Sequence, residues 1–152
     1  MKNIQGNIAD LFCGVGTFSY LLASMDKVKI TAVDSSEQLL KGFLDSVNRN
    51  QITNIKIMNK NLFKYPLDET ELKDFAAVLF DPPRAGAKAV CEKLAQAVQK
   101  PEVVVAVSCN PNTFVNDVCS IKVSTSNHYI AVFTNLICRF FCIFHIFNFH
   151  SR

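Results

Sequence analysis

Asn7-Ile8-Ala9-Asp10-Leu11-Phe12-Cys13-Gly14-Val15-Gly16-Thr17 is the stretch on which the fold turns. Residues 7–12 read as a short apolar strand, Cys13 to Gly16 as a glycine turn, and residues 17–25 as a helix with Phe18, Leu21 and Leu22 at helical spacing. Strand, glycine turn and helix in this order form the first half of a βαβ unit. A turn without side chains lets a ligand approach the backbone, and the helix N-terminus behind it favours anionic or polar groups.

The alternation continues downstream. Residues 28–33 read as a second strand ending on Asp34, and Ser35 or Ser36 can cap a helix carrying Leu39, Leu40, Phe43, Leu44 and Val47. Residues 55–58 form a third strand, followed by a polar connection over 59–72 with room for one helical turn. Residues 75–80 form a fourth strand that Asp81-Pro82-Pro83 ends, because two prolines cannot continue a ladder. A helix over 87–99 faces inward with Val90, Leu94, Ala97 and Val98, a fifth strand follows at 103–107, and a helix covers 111 to about 121. Such alternation implies right-handed crossovers and an α/β, doubly wound, mostly parallel sheet, here expected to be incomplete at its C-terminal end.

The chain has 152 residues, the size of one domain, and its 49% hydrophobic and 19% charged content exclude a disordered chain. The net charge of +3 arises wholly from Lys122, Arg139 and Arg152, because the acids and bases through residue 117 balance. No basic stripe therefore announces nucleic-acid binding by itself. The six cysteines show no disulfide framework and complete no zinc or iron–sulfur ligand set, so no metal is expected. Without a recognisable signal peptide at the N-terminus, the expected location is a reducing cytoplasm.

Residues 123–152 break the pattern: they hold six of the 13 Phe, all three His, and no Gly, Pro or acid. Three readings stand for them. Residues 129–149 are long enough to span a bilayer, but Arg139 at the middle makes that costly. A strand pair could close the sheet, or the tail could have no designed role. The division expected is a core over 1–122 and an atypical hydrophobic tail over 123–152.

Four motifs carry chemistry. Asp10, inside the strand before the glycines, would repel a pyrophosphate and suits a ligand with a positive amine; a plain turn cap is the alternative. Ser19 stands where a dinucleotide fingerprint has its third glycine, which argues against an NAD-dependent oxidoreductase. Asp34 can accept both hydroxyls of a ribose, in NAD or in S-adenosylmethionine alike. Asn61 could meet an adenine edge or merely be solvated. In Asp81-Pro82-Pro83-Arg84-Ala85-Gly86, the prolines fix the backbone so that Asp81 faces the cleft, and Arg84 offers a planar cation to phosphate or a developing anion. Finally, the run Val103 to Val107 ends on Ser108-Cys109-Asn110-Pro111. Ligands bind beyond the carboxyl ends of such strands, and Asn110 and Pro111 start a helix whose dipole would lower the Cys109 thiol pKa. A buried structural cysteine is the alternative there.

In this order and spacing, DLFCGVGTF, VDSS, DPPRAG and SCNPNTF resemble the RNA 5-methyluridine methyltransferases of ribosomal and transfer RNA, over roughly residues 6–121. The resemblance implies a Rossmann-like class I methyltransferase fold and S-adenosyl-L-methionine as cofactor, held by Asp10, Phe12, Gly14, Gly16, Asp34, Asn61 and Asp81. It implies Cys109 as the nucleophile that attacks C6 of a uridine, with Pro82, Arg84 and Asn110 on the substrate side. RNA is the implied partner, ribosomal ahead of transfer RNA, with no membrane, and the full-length family is expected to be monomeric. A non-catalytic remnant that binds cofactor or RNA is the alternative.

The chain also departs from the family. Family members carry an upstream RNA-binding region and close with an Asp-x-Phe segment and a His-x-Glu that supplies the base, whereas no glutamate follows Glu102 here. Residues from about 123 are therefore expected to be an out-of-frame ending of a gene fragment. Translating the other two frames beyond codon 122 should recover both missing motifs; finding them in neither frame refutes the frameshift.

Overall fold

The computed structural model describes residues 4–108, Asp117, and residues 129–134 and 143–147. Five strands alternate with helices: β1 (Gly6–Leu11), α1 (Thr17–Ala23), β2 (Val28–Asp34), α2 (Glu37–Arg49), β3 (Ile55–Asn59), α3 (Glu69–Leu72), β4 (Ala77–Phe80), α4 (Lys88–Gln96) and β5 (Val103–Ser108). Strands β6 (Tyr129–Thr134) and β7 (Ile143–Phe147) follow. The sheet order is β3-β2-β1-β4-β5-β6-β7, parallel throughout except that β7 runs antiparallel to β6. The chain starts in the middle of the sheet and reverses direction after β3, so the crevice between β1 and β4 is the topological switch point.

Past β5, where an incomplete sheet was expected, the tail contributes two paired strands. Tyr-Ile-Ala-Val-Phe-Thr and Ile-Phe-His-Ile-Phe are dominated by β-branched and aromatic residues, which suit a pleated surface. No helix among the described residues is long and apolar enough to cross a membrane.

Alternation along the strands distributes the core to both faces of the sheet. Ile8, Val28, Ile30 and Ala77 pack on one face, where Ala32 meets Leu40, Phe43 and Val47 of α2. Ala9, Leu11, Val78, Phe80 and Val104 point the other way, against Leu72, Val90, Cys91 and Leu94 from α3 and α4. Helix α2 starts where expected, with the Ser36 hydroxyl accepting from Leu39 N. Helix α3 is a single turn closed by a capping box between Asp68 and Glu71.

Several apolar residues expected inside are not there. Leu21 is 66% exposed while Ser19 is fully buried, so α1 turns a polar residue to the sheet. Leu39 and Leu44 lie at the exposed margins of α2, and only Leu40, Phe43 and Val47 are buried. Val98 is 82% exposed because α4 stops at Gln96 and Ala97 turns extended, with ψ 132°.

Gly16 joins the turn to this core. Its φ is +86°, and a Cβ there would overlap the ring of Phe43, which is itself pinned edge-on against Tyr20 at 5.3 Å. Gly42, on the exposed side of α2, has open space at its missing Cβ. Gly16→Ala should therefore cost about 2–4 kcal/mol, through strain and overpacking together. Gly42→Ala should stabilise by about 0.5–1 kcal/mol. Urea denaturation of the two variants beside wild type measures both, and equal effects would refute the Phe43 constraint.

Candidate active site

Parallel register places three acids at one edge of the sheet. Asp10 pairs with Ala32 and Leu79 near the carboxyl end of β1, Asp34 ends β2, and Asp81 follows the last residue of β4. Backbone bonds tie these ends together: Asp81 N donates to Leu11 O at 3.2 Å, and Cys13 N to Val33 O at 3.1 Å.

Asp34 fixes the glycine turn. Its Oδ2 accepts from Gly14 N and its Oδ1 from Ser36 N, both at 2.9 Å. Each oxygen keeps a further lone pair, so the carboxylate can still accept hydroxyl donors. At Gly14, φ is +55° and nothing lies within 4 Å of where a Cβ would stand, which leaves the turn open to a close approach.

Asp10 lies beneath the turn, fully buried. The Ser19 hydroxyl donates to its Oδ2 at 2.5 Å, while its Oδ1 is buried without a partner. Ser19, noted in the sequence only as a missing glycine, is therefore the side chain that holds this carboxyl. Burial pushes the Asp10 pKa up to about 6 against the pull of Ser19, and the nearby charges of Asp81 and Asp34 add to the rise. Burial likewise raises the Asp81 carboxyl above the usual range. Cys13, within the same turn, is pushed to about 12 by burial and then by Asp10 and Asp34. A thiol so held is no nucleophile at neutral pH.

Phe12 and Asn61 both border Phe63 at one flank. Phe12, at φ +60°, is half-buried and stacks obliquely on Phe63 at 5.3 Å. Asn61 Oδ1 accepts from Phe63 N and Lys64 N at 3.1 and 3.2 Å, so its carbonyl serves a local turn and its amide group remains to donate. Phe63, 47% exposed beside this turn, went unnoticed in the sequence because an aromatic in a connecting loop belongs to no helix or strand period.

On the other flank, Pro82 is buried while Arg84 is exposed and makes no ion pair among the described residues. Gly86 N closes a turn onto Pro83 O at 2.9 Å, and Ala87 N donates to Asp117 Oδ2 at 2.7 Å. β5 ends at the buried Ser108; Cys109 and Asn110 lie outside the described residues, as does the rest of the helix expected at 111–121 except for Asp117.

Three carboxylates around an open turn, one with a buried unpartnered oxygen, attract a cationic ligand and repel a pyrophosphate. A cavity of about 670 Å³ opens elsewhere, at the amino ends of β2 and β3, among Lys29, Thr31, Lys56, Met58 and Phe75. It shares no residue with the acid cluster. No group of three or more His, Cys, Asp or Glu suited to a metal lies among the described residues.

Known proteins resemble this chain in sequence and in fold. The model of the tRNA (uracil-5-)-methyltransferase family matches residues 1–142. An RNA methyltransferase of Agrobacterium fabrum is 46% identical over 112 residues, 72% of this chain and 26% of that protein. The 23S rRNA (uracil(1939)-C(5))-methyltransferase RlmD of Aliivibrio salmonicida is 37% identical over 117 residues, 76% of this chain and 26% of its own. The chain thus spans about a quarter of the length of these relatives. Among solved structures, the tRNA (uracil-54, C5)-methyltransferase of Pyrococcus abyssi, in complex with S-adenosyl-L-homocysteine, superposes with a TM-score of 0.66 at 29% identity. That match covers 86% of this chain and 31% of the Pyrococcus protein. A Haemonchus contortus phosphoethanolamine N-methyltransferase with S-adenosyl-L-methionine shares the fold alone, with a TM-score of 0.58 at 13% identity. With a Rossmann-like methyltransferase sheet and a family match over most of its length, the chain belongs to the tRNA (uracil-5-)-methyltransferase family.

Proposed function

We propose that this chain belongs to an enzyme that methylates C5 of a uridine in RNA, ribosomal ahead of transfer RNA, with S-adenosyl-L-methionine as methyl donor. The observation that carries the reading is the acid cluster: Asp10, Asp34 and Asp81 converge on a glycine turn, with Asp10 Oδ1 buried and unpartnered. A ligand that bears a sulfonium and an ammonium group suits that field, whereas a dinucleotide does not. The names of the relatives and of the Pyrococcus structure support the same reading.

In this reading residues 1–122 are the methyltransferase core and 123–152 the atypical tail. Asp34 holds the ribose hydroxyls, Asp10 and Asp81 hold the cationic end, Gly14 and Gly16 leave room for it, and Phe12 and Asn61 flank the base. When bound, S-adenosyl-L-methionine supplies an electrophilic methyl group. Cys109, as thiolate, attacks C6 of the uridine and makes C5 nucleophilic; after C5 is methylated, a base removes its proton and the C6–S bond breaks. Pro82, Arg84 and Asn110 line the uridine side, Arg84 meeting phosphate or the developing enolate. The uridine must leave its stack to reach the cleft. The buried free thiols of Cys13 and Cys91 fit a reducing cytoplasm, and a monomer is the assembly proposed for the whole enzyme.

Two experiments test this. RNA containing 5-fluorouridine cannot lose a C5 proton, so with S-adenosyl-L-methionine it should trap a covalent adduct that Cys109→Ala abolishes and Cys13→Ala retains. Donor binding with no adduct would refute the catalytic role and leave a binding remnant, and tighter binding of NAD than of S-adenosyl-L-methionine would refute the donor itself.

Asp10 supplies a pH signature. Its folded pKa, about 6, lies above the ordinary 3.8, so the folded chain holds the proton more tightly between pH 4 and 6. Raising the pH through that window therefore costs stability, by about 3 kcal/mol in all. Asp10→Asn should lack this decline, seen as a growing stability difference from wild type in urea melts from pH 4 to 7. Donor affinity should run the opposite way in wild type, rising through about pH 6 as Asp10 ionises beside a cation, and rise less in Asp10→Asn, where Asp81 alone of the pair still ionises. Parallel binding curves for the two proteins would refute a role for Asp10.

A further inference from the structure

We propose that Ser19 is a positioning residue for the methyl donor: it latches the sealed Asp10 carboxylate by one oxygen and keeps it charged beneath the glycine turn. The proposal rests on the reading of S-adenosyl-L-methionine as donor. Helix α1 is arranged around this bond. It leaves Leu21 66% exposed and turns the fully buried Ser19 to the sheet, so the helix gives up apolar burial to bring a hydroxyl onto β1. Leu22 and Ala23 pack against the cluster of Ile8, Val28, Ile30 and Ala77, which fixes the rotation that aims Ser19 at Asp10. There the Ser19 hydroxyl donates to Asp10 Oδ2 at 2.5 Å.

Asp10 occupies a closed position. It has no exposed surface, and its Oδ1 is buried without a partner. A carboxylate so enclosed acts on a cation through its charge, across the turn, and its surroundings oppose that charge. The titratable groups that face it are Asp81 beyond β4, Asp34 at the end of β2 and Cys13 in the turn, none of which supplies a positive charge. Helix α2, over the same face, presents Leu40, Phe43 and Val47. Burial and two like charges thus favour the neutral acid, while the hydroxyl and main-chain N–H of Ser19 favour the anion. Hydrogen bonds to a charged group are roughly twice as strong as neutral ones, so loss of the hydroxyl tips the balance towards the acid.

The test uses the full chain and compares wild type with Ser19→Ala and Ser19→Thr, the latter keeping the hydroxyl. Carbon-13 NMR follows the Asp10 carboxyl in the free protein across pH 4–9, and equilibrium dialysis measures S-adenosyl-L-methionine affinity over the same range. The Asp10 midpoint should rise from about 6 by about one pH unit in Ser19→Ala and return close to wild type in Ser19→Thr. Donor affinity in Ser19→Ala should fall about threefold at pH 6.5 and recover by pH 8.5, where a merely structural loss would persist. Placed on Asp10→Asn, the same substitution should leave the donor profile where it stands. An unmoved Asp10 midpoint, an affinity loss equal at every pH, or a profile shift that survives Asp10→Asn overturns the proposal. Should Ser19→Ala not unfold cooperatively in urea, Ser19→Cys, similar in shape and a weak donor, takes its place with the same expected results. A wild type that binds no donor at any pH, yet whose Asp10 midpoint moves on losing the hydroxyl, refutes the donor reading and leaves the control of the Asp10 charge by Ser19 standing.

Discussion

The site depends on the carboxylate of Asp34, which accepts one hydrogen bond from the glycine turn and one from the start of α2. The bond to Gly14 N orients the turn after β1, and the bond to Ser36 N ends β2 and aims the next helix. Charge-assisted bonds of this kind are roughly twice as strong as neutral ones, and each here also fixes a backbone direction. Without them the two halves of the β1–β2 crevice would be joined by backbone bonds alone, the ladder and the bond from Cys13 N to Val33 O. The same group that organises the turn also contributes negative charge to its mouth, so architecture and electrostatics are inseparable at this point.

The acid cluster carries an opposing cost. Three carboxylates share one strand edge, and the most deeply buried of them has one unpartnered oxygen and a pKa raised towards neutrality. A fold assembled for stability alone would place an apolar residue at position 10, between its sheet neighbours Ala32 and Leu79. Buried, strained or under-satisfied groups concentrate where a protein binds something, and the stability forgone here is of the size that a cationic ligand can return.

Much of this was legible in the sequence, because strand period and turn chemistry are local properties. The apolar runs ending on Asp34, on Asp81 and on Ser108 located three strand ends, and the glycines located the turn between β1 and α1. Side-chain direction on the helices was less legible. Leu21, Leu39, Leu44 and Val98 were taken as inward because they are apolar, yet apolar type does not say which edge of a stripe meets the sheet, nor that α4 would end at Gln96. Ser19 reads as a defect in a glycine fingerprint until its hydroxyl is seen on Asp10. Asn61 was open between ligand contact and solvation, and its carbonyl in fact caps the turn that presents Phe63. The bond from Ala87 to Asp117 spans 30 residues, a non-local pairing that periodicity cannot report.

Cys13 shows what the acid cluster implies for the cleft itself. Its sulfur lies in the turn over which a methyl donor would be held, and a thiolate there would be a competitor for the methyl group. With its pKa pushed to about 12 by burial and by the flanking carboxylates, only about one molecule in 10⁵ carries that thiolate at neutral pH. Burial first, and the negative field that suits a cation second, thus guard the protein against alkylating itself.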